Sequence, residues 1–417
     1  MSSLGRTVTP PPLSQVEGSA ILSSTPAHAN WSPHIFDFLF AMELDEVSRS
    51  RGIPSALLRE TAVDSGVSIG SGASFTVTRQ RLPAAPIEVP IPLAMDGITF
   101  RSNRRKQRYE YIVYKVARIA FTDNGRASKP YQRALTTVLT ELHALIYPPL
   151  RRHKNIIDFI GIAWGSNPLH SEYRSPAIMV EYADLGTLAQ FSEHIKPSDS
   201  LKLQLCADIA NALVAIHSCG LVHGDLKPDN VLLCSLDRPT AKLSDFGYSV
   251  IAETASDLVM LGGTDPWKAP EATAPLPLAD LRYTDVYSFG LIAWSIAVNR
   301  KDPFARTFNG STVPTREDVQ SMKLDGSLPA LACAEARCLL AQRMAPELLQ
   351  LQRSFSETRY DQDQCRELMK PVVSGVINEG LLGRLEQLLA IALQPQHRAR
   401  DIDKISVMLN VTQSDSL

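Results

Sequence analysis

Apolar residues follow two different rhythms along the chain. From about residue 66 they alternate with polar ones. Phe75-Thr-Val-Thr reads as a strand, and Tyr111-Ile-Val-Tyr-Lys-Val-Ala-Arg-Ile, rich in β-branched and aromatic residues, reads as a stronger one. Between them, APIEVPIPLAMDG holds too much proline for a central strand and is read as an insertion or long loop. Over 132–146 the spacing changes. Leu135, Val138, Leu139, Leu142, Leu145 and Ile146 recur at helical intervals, and Pro148 and Pro149 end the helix. Strands are expected again over 156–162 and 177–182. After Asp184-Leu-Gly-Thr the pattern is mainly helical, most clearly over 201–217, and no solenoid-length repeat is present. The pattern predicts a strand-rich lobe joined near residue 183 to a helix-rich one.

Composition narrows the class. The 417 residues, 44% hydrophobic, suffice for two sizeable cores, and a net charge of −2 argues against nucleic-acid or membrane binding through a global field. Arg101, Arg104, Arg105, Lys106 and Arg108 form a local basic run, read as a solvated loop rather than a nuclear-import or anionic-partner patch. The six cysteines form no CxxC pair, which suits free thiols in a reducing compartment. The start, MSSLGRTVTPPPL, lacks the form of a secretory signal, and no stretch approaches 18 apolar residues. No membrane span and an intracellular, cytoplasmic location, compatible with the nucleus, are therefore expected. Residues 1–30 are rich in Ser, Pro, Thr and Ala and are expected to be disordered. The segment 34–47, HIFDFLFAMELDEV, is read as a short helix docking on the main body.

Polar residues then cluster in an order that changes the picture. VHGDLKPDN occupies 222–230. Asp245-Phe246-Gly247, Lys268-Ala269-Pro270-Glu271 and Asp285-Val-Tyr-Ser-Phe-Gly290 follow it, and Ile69-Gly70-Ser71-Gly72-Ala73-Ser74-Phe75-Thr76-Val77 precedes it. Taken alone, Asp225 and Asn230 read equally well as turn residues, and the two glycines as a plain hairpin. Five such motifs in this order resemble a eukaryotic protein kinase, over about residues 60 to 410.

The resemblance implies an α+β, bilobal protein-kinase-like fold with a small β-rich N-lobe and a larger, mainly helical C-lobe. The N-lobe would span 61–182 with an insertion at about 82–108. The C-lobe would span 183–410 with an insertion at about 310–370, in which 334–353 reads as a helix. An extension, 1–60, would precede them and a tail, 411–417, would follow.

It also implies ATP-dependent phosphoryl transfer to Ser/Thr hydroxyls of a protein substrate, with Mg2+. Phosphoryl transfer asks for positioning and charge neutralisation. Asp225 would orient the incoming hydroxyl, and Lys227 would offset charge on the transferring group. Asn230 and Asp245 would supply oxygen ligands to Mg2+, a hard cation. Ile69, Gly70, Ser71, Gly72 and Val77 would form the nucleotide loop, with Ser74 in place of a third glycine. Lys115 would anchor phosphate, with Lys106 as rival. It lies 45 positions after Gly70, where the family takes roughly 20. Glu141 would pair with Lys115, or else be an exposed helix glutamate. Val180 would be the gatekeeper, and the main chain of Glu181 and Ala183 would bond adenine. Ile69, Val77 and Leu232 would sandwich the ring, or be simple core.

Lys227 and Gly263-Thr264, whose threonine would bond Asp225 and Lys227, resemble Ser/Thr kinases. Asp285-Val-Tyr-Ser-Phe-Gly resembles the tyrosine-kinase-like branch and, with Trp267, leaves dual specificity open. Gly224 stands where the family usually has arginine (the non-RD form), so ordering of the activation loop through that contact is not expected. Arg398 matches the late arginine that pairs with Glu271. With every chemical group present, an active kinase is favoured over a pseudokinase scaffold or a small-molecule kinase.

Overall fold

A computed structural model describes residues 66–81, 110–120, 129–171, 174–235, 238–251, 258–305, 314–336 and 381–410. The expected extension over 1–60, the docking helix over 34–47, the insertion at 82–108 with Lys106, most of 310–370, and the tail lie outside the described residues. The chain divides into two compact units. One comprises 1–183 with 245–249, and the other 184–244 with 250–417.

The first unit is built on a five-stranded antiparallel sheet. Its strands are β1 (Val67–Ser71), β2 (Phe75–Arg81), β3 (Tyr111–Ala117), β4 (Phe159–Ser166) and β5 (Arg174–Glu181), in the order β1-β2-β3-β5-β4. Strand alternation sends Ile112, Tyr114 and Val116 into a core cluster with Ile160, Ala163, Ala177 and Met179. Lys115 therefore projects from the opposite face of β3. Helix α1 (Lys129–Ile146) buries Val138, Glu141, Leu142 and Leu145, a stripe at i, i+3, i+4 and i+7. A glutamate thus sits within an otherwise apolar stripe. A short α2 (Pro148–Arg151) follows. The strand expected over 156–162 begins instead at Phe159. Ile156 and Ile157 are buried in the preceding turn, and an apolar run reports burial rather than conformation.

The second unit is mainly helical. α3 (Leu188–His194) opens with a reciprocal capping box between Thr187 and Gln190. α4 (Asp199–Ser218) starts at Ser198, whose hydroxyl accepts from Leu201 N–H. Short strands follow: β6 (Leu221–Val222), β7 (Val231–Cys234), β8 (Thr240–Leu243), β9 (Val250–Ile251), β10 (Leu258–Val259) and β11 (Leu276–Pro277). They pair β6 with β9, β7 with β8, and β10 with β11. Helix α5 (Arg282–Val298) is buried at every position from Thr284 to Val298, so its sequence shows no amphipathic stripe. α6 (Arg316–Leu324) has its own capping box, between Thr315 and Asp318. α7 (Leu381–Ala392) and α8 (Ile402–Asn410) complete the described helices that pack around α4 and α5. Cys206, Cys219, Cys234 and Cys333 are free thiols. No described helix is long and apolar enough to cross a membrane.

The late arginine is a correction. Arg400, not Arg398, pairs with Glu271. Its side chain is 0% exposed. Its Nη2 donates to Glu271 Oε2 at 3.1 Å while Nη1 reaches Oε1. Further bonds go to the carbonyls of Gln394 (2.8 Å) and Tyr283 (3.0 Å), and the guanidinium lies 4.5 Å from the Tyr287 ring centroid. Arg398, 71% exposed, instead forks onto Asp280 with two bonds of 2.9 Å. The cause is the tight turn over His397–Ala399, which sends residues two apart in opposite directions. Two arginines that close in sequence are chemically indistinguishable until the turn is known. Removing one partner of a buried ion pair costs about 3–5 kcal/mol. Arg400→Ala and Glu271→Ala are therefore expected to lower the urea midpoint strongly, while Arg398→Ala leaves it close to wild type.

Candidate active site

In the first unit, β1 and β2 form a hairpin in register Gly70↔Val77 and Ser71↔Thr76, closed by Gly72 N–H donating to Phe75 O at 2.8 Å. Gly70, Ser71 and Gly72 are exposed. Arg118, just beyond β3, donates through Nη1 to Ser71 Oγ (2.8 Å) and Gly72 O (3.0 Å), and its N–H donates to Ser74 O (2.8 Å). Counting G-x-G-x-x-G from Gly70 puts the third glycine position at Phe75, which corrects the assignment to Ser74. Phe75 is buried, and its ring lies 4.6 Å from Lys115 Nζ, a cation–π contact.

Lys115 Nζ donates to Glu141 Oε1 and, at 3.2 Å, to Asp245 Oδ1. Glu141 is 1% exposed, and among the described residues its Oε2 has no hydrogen-bond partner; burial removes the exposed-glutamate alternative. Burial pushes the Glu141 carboxyl up to about 7, against the pull of the Lys115 ammonium. Burial would lower Lys115, but the Asp245 and Glu141 carboxylates overcome it and hold its pKa above the usual lysine value. Asp245 has left-handed backbone (φ 63°), an unusual conformation for a residue with a side chain.

At the end of β5, Val180, Glu181 and Ala183 are buried. Glu181 N–H donates to Asp158 O at 3.0 Å. No hydrogen bond engages the main chain of Ala183 among the described residues. Ile69 is 43% exposed. Val77 and Leu232 are half-buried. None of the three is simple core.

The second unit carries the other polar cluster. Asp225, 5% exposed, accepts from Lys227 Nζ (2.7 Å) at Oδ2 and from Thr264 Oγ1 (2.8 Å) at Oδ1. Lys227 Nζ also donates to Thr264 Oγ1 at 2.8 Å, closing a triangle. Asn230, in the turn Pro228–Asn230, donates Nδ2 to Asp225 O at 2.8 Å. That bond fixes the amide so that Oδ1 is the end offered to a cation. The turn reading of Asp225 and Asn230 describes their backbone but not these contacts.

The loop that carries them is set by Asp285 on α5. Its Oδ2 accepts from His223 N–H (2.8 Å) and His217 Nε2 (2.9 Å), and its Oδ1 from Gly224 N–H (3.0 Å). Burial alone would raise this carboxyl. The His217 bond, with His217, His223 and Gly224 N–H, pulls it below the usual carboxylate range. Gly224 takes φ +77°, a conformation glycine adopts without penalty. The sequence placed Asp285 in a motif but gave it no role, and nothing pointed to His217 or Arg118.

Residues 104–338, more than half of the chain, match the model of the protein kinase domain, and the chain belongs to that family. The glycine-rich hairpin precedes the matched stretch and Arg400 follows it. The chain is similar to the "Probable serine/threonine-protein kinase gdt4" of Dictyostelium discoideum, 32% identical over 185 residues, which are 43% of this chain and 10% of that protein. It is similar to the "Serine/threonine/tyrosine-protein kinase HT1" of Arabidopsis thaliana, 33% identical over 147 residues, 34% of this chain and 35% of that one. It is also similar to the "Dual specificity protein kinase zakA" of D. discoideum, 28% identical over 185 residues, 40% and 22% of the two chains. The matched stretch spans about a tenth to a third of these relatives.

A protein kinase domain implies ATP and a divalent cation. Asp245 in the first unit carries a carboxylate and Asn230 in the second an amide oxygen, each a donor of the type a hard cation takes. Among the described residues no cluster of three His, Cys, Asp or Glu side chains could hold a metal alone.

The Glu141 carboxyl is expected to titrate near 7 when followed by carboxyl 13C shift, assigned against Glu141→Gln. Lys115→Met removes the ammonium that favours the ionised form, so the midpoint moves higher. A midpoint in the ordinary glutamate range would contradict the burial argument.

Proposed function

We propose that the chain is an ATP-dependent protein kinase that transfers the γ-phosphoryl group to Ser or Thr hydroxyls, with Mg2+ as the cation. The observation that carries this reading is the closed triangle of Asp225, Lys227 and Thr264. Asp225 orients the acceptor hydroxyl and takes its proton. Lys227 offsets charge on the transferring oxygens, and Thr264 holds both in register. Lys115, fixed by Glu141, binds phosphate. Asp245 and Asn230 would hold Mg2+, which supplies charge neutralisation at the phosphates when bound. Gly70, Ser71 and Gly72, exposed at the tip of the β1–β2 hairpin, would lie over the phosphates. The main chain of Glu181 and Ala183 would bond adenine, with Ile69, Val77 and Leu232 as its apolar walls.

A second reading, dual specificity, is favoured by the names of two relatives, "Serine/threonine/tyrosine-protein kinase" and "Dual specificity protein kinase". Peptides differing only in Ser, Thr or Tyr separate the two.

With labelled ATP and Mg2+, wild type is expected to phosphorylate a generic protein. Asp225→Asn is expected to lower kcat by about 10²–10⁴, and Lys115→Met to abolish detectable transfer. Equal activity in all three proteins would end the kinase reading. The kcat/KM for ATP is expected to fall on the acid side with a midpoint near 7, because protonation removes the charge that holds Lys115. Glu141→Gln, which cannot titrate there, loses that limb.

Gly224 offers no side chain to a phosphate, so we also propose that activity does not depend on a phosphorylated loop contact at this position. Phosphatase treatment is expected to leave kcat unchanged, and a large loss on treatment would refute the idea.

A further inference from the structure

Three consecutive backbone carbonyls in the second unit, at Pro266, Trp267 and Lys268, are bonded by side chains rather than by secondary structure. Ser288 Oγ, on α5, donates to Trp267 O at 2.9 Å. Lys323 Nζ, on α6, donates to Pro266 O and, at 2.7 Å, to Lys268 O. Lys323 is 2% exposed, and no carboxylate lies within ion-pair distance of it among the described residues. A buried ammonium without a paired anion is costly, so its retention needs a reason. Burial pushes it down to about 8, with Asp265, Glu271 and Asp302 partly opposing.

What Lys323 holds is the start of the stretch that ends at Glu271. Trp267 N–H and Lys268 N–H both donate to Thr264 O, at 2.9 and 3.2 Å. Thr264 carries the hydroxyl that bridges Asp225 and Lys227. A chain of direct bonds therefore runs from Lys323, through the 266–268 backbone, to Thr264 and Asp225.

We propose that Lys323 is a positioning residue for phosphoryl transfer: its ammonium fixes the 264–268 backbone and thereby the Thr264 hydroxyl. The kinetic half of this proposal rests on the kinase reading, while the structural half does not.

The test is a double-mutant cycle of Lys323→Met and Thr264→Val, with hydrogen exchange on each protein. Each single variant is expected to lower kcat by about tenfold to a hundredfold, with KM for ATP unchanged. The double variant is expected to be no slower than the worse single one, because both act through the same hydroxyl. Lys323→Arg, which keeps charge and donors, is expected to recover most of the rate. Effects that multiply, or a fully active Lys323→Met, would overturn the proposal. Amides of Trp267 and Lys268 are expected to exchange faster in Lys323→Met, with α4 and α5 unchanged. Unchanged exchange at those amides overturns the anchoring whatever the kinetics. If wild type transfers no phosphate, the kinase reading fails and exchange alone decides the anchoring. If Lys323→Met does not fold, Lys323→Gln, uncharged and shorter, takes its place in every comparison.

Discussion

The second unit is organised by one buried carboxylate. Asp285 lies within a helix that is buried all round, and taking its charge out of water is offset by three hydrogen bonds, from His217, His223 and Gly224. Two of those donors are successive backbone N–H groups, so the carboxylate grips the loop and not merely a side chain. The loop leaves that grip with Asp225 as its next residue. His223 adds a second tie. Its Nε2–H donates to Ser244 O at 3.1 Å, and its Nδ1 accepts from Asp225 N–H at 3.4 Å. The position of Asp225 is thus inherited from the core of the helical unit. Loss of the Asp285 charge would release the backbone that carries Asp225.

Much of this was legible in the sequence, for identifiable reasons. The resemblance singled out Lys115 and Glu141, and the periods of their elements agree with it: strand alternation sets Lys115 on the face opposite Ile112, Tyr114 and Val116, and helical spacing sets Glu141 on the buried stripe of α1. What periodicity does not supply is the direction in which a turn sends its side chains. Arg398 and Arg400 differ by two positions and carry the same guanidinium, yet one is on the surface and one is enclosed. The third glycine position falls on Phe75, one residue beyond Ser74. The side chain there packs against Lys115, a contact no spacing rule anticipates. Lys323 carried no signal, since a lysine near the end of a polar nine-residue helix reads as solvated.

Gly224 gains its meaning from what surrounds the 258–271 segment. Without an arginine at that position, order must come from elsewhere in the unit. Leu258 and Val259 pair with Pro277 and Leu276. Leu261 packs with Val222, Leu276 and Leu281 in one apolar cluster. Gly263 adopts φ +100°, and a Cβ there would come within 3.4 Å of Gly224 O, so the two glycines let their backbones approach. Beyond it come the Thr264 bridge, the carbonyls held by Ser288 and Lys323, and the buried pair of Glu271 and Arg400. A phosphate–arginine contact elsewhere supplies a few charge-assisted bonds to a segment that is otherwise loosely held. Here the segment already has a strand pairing, an apolar anchor, side-chain bonds to three carbonyls and an enclosed ion pair, all within the unit. An arginine at 224 would add little to that set, and its side chain would require the left-handed backbone that Gly224 adopts freely.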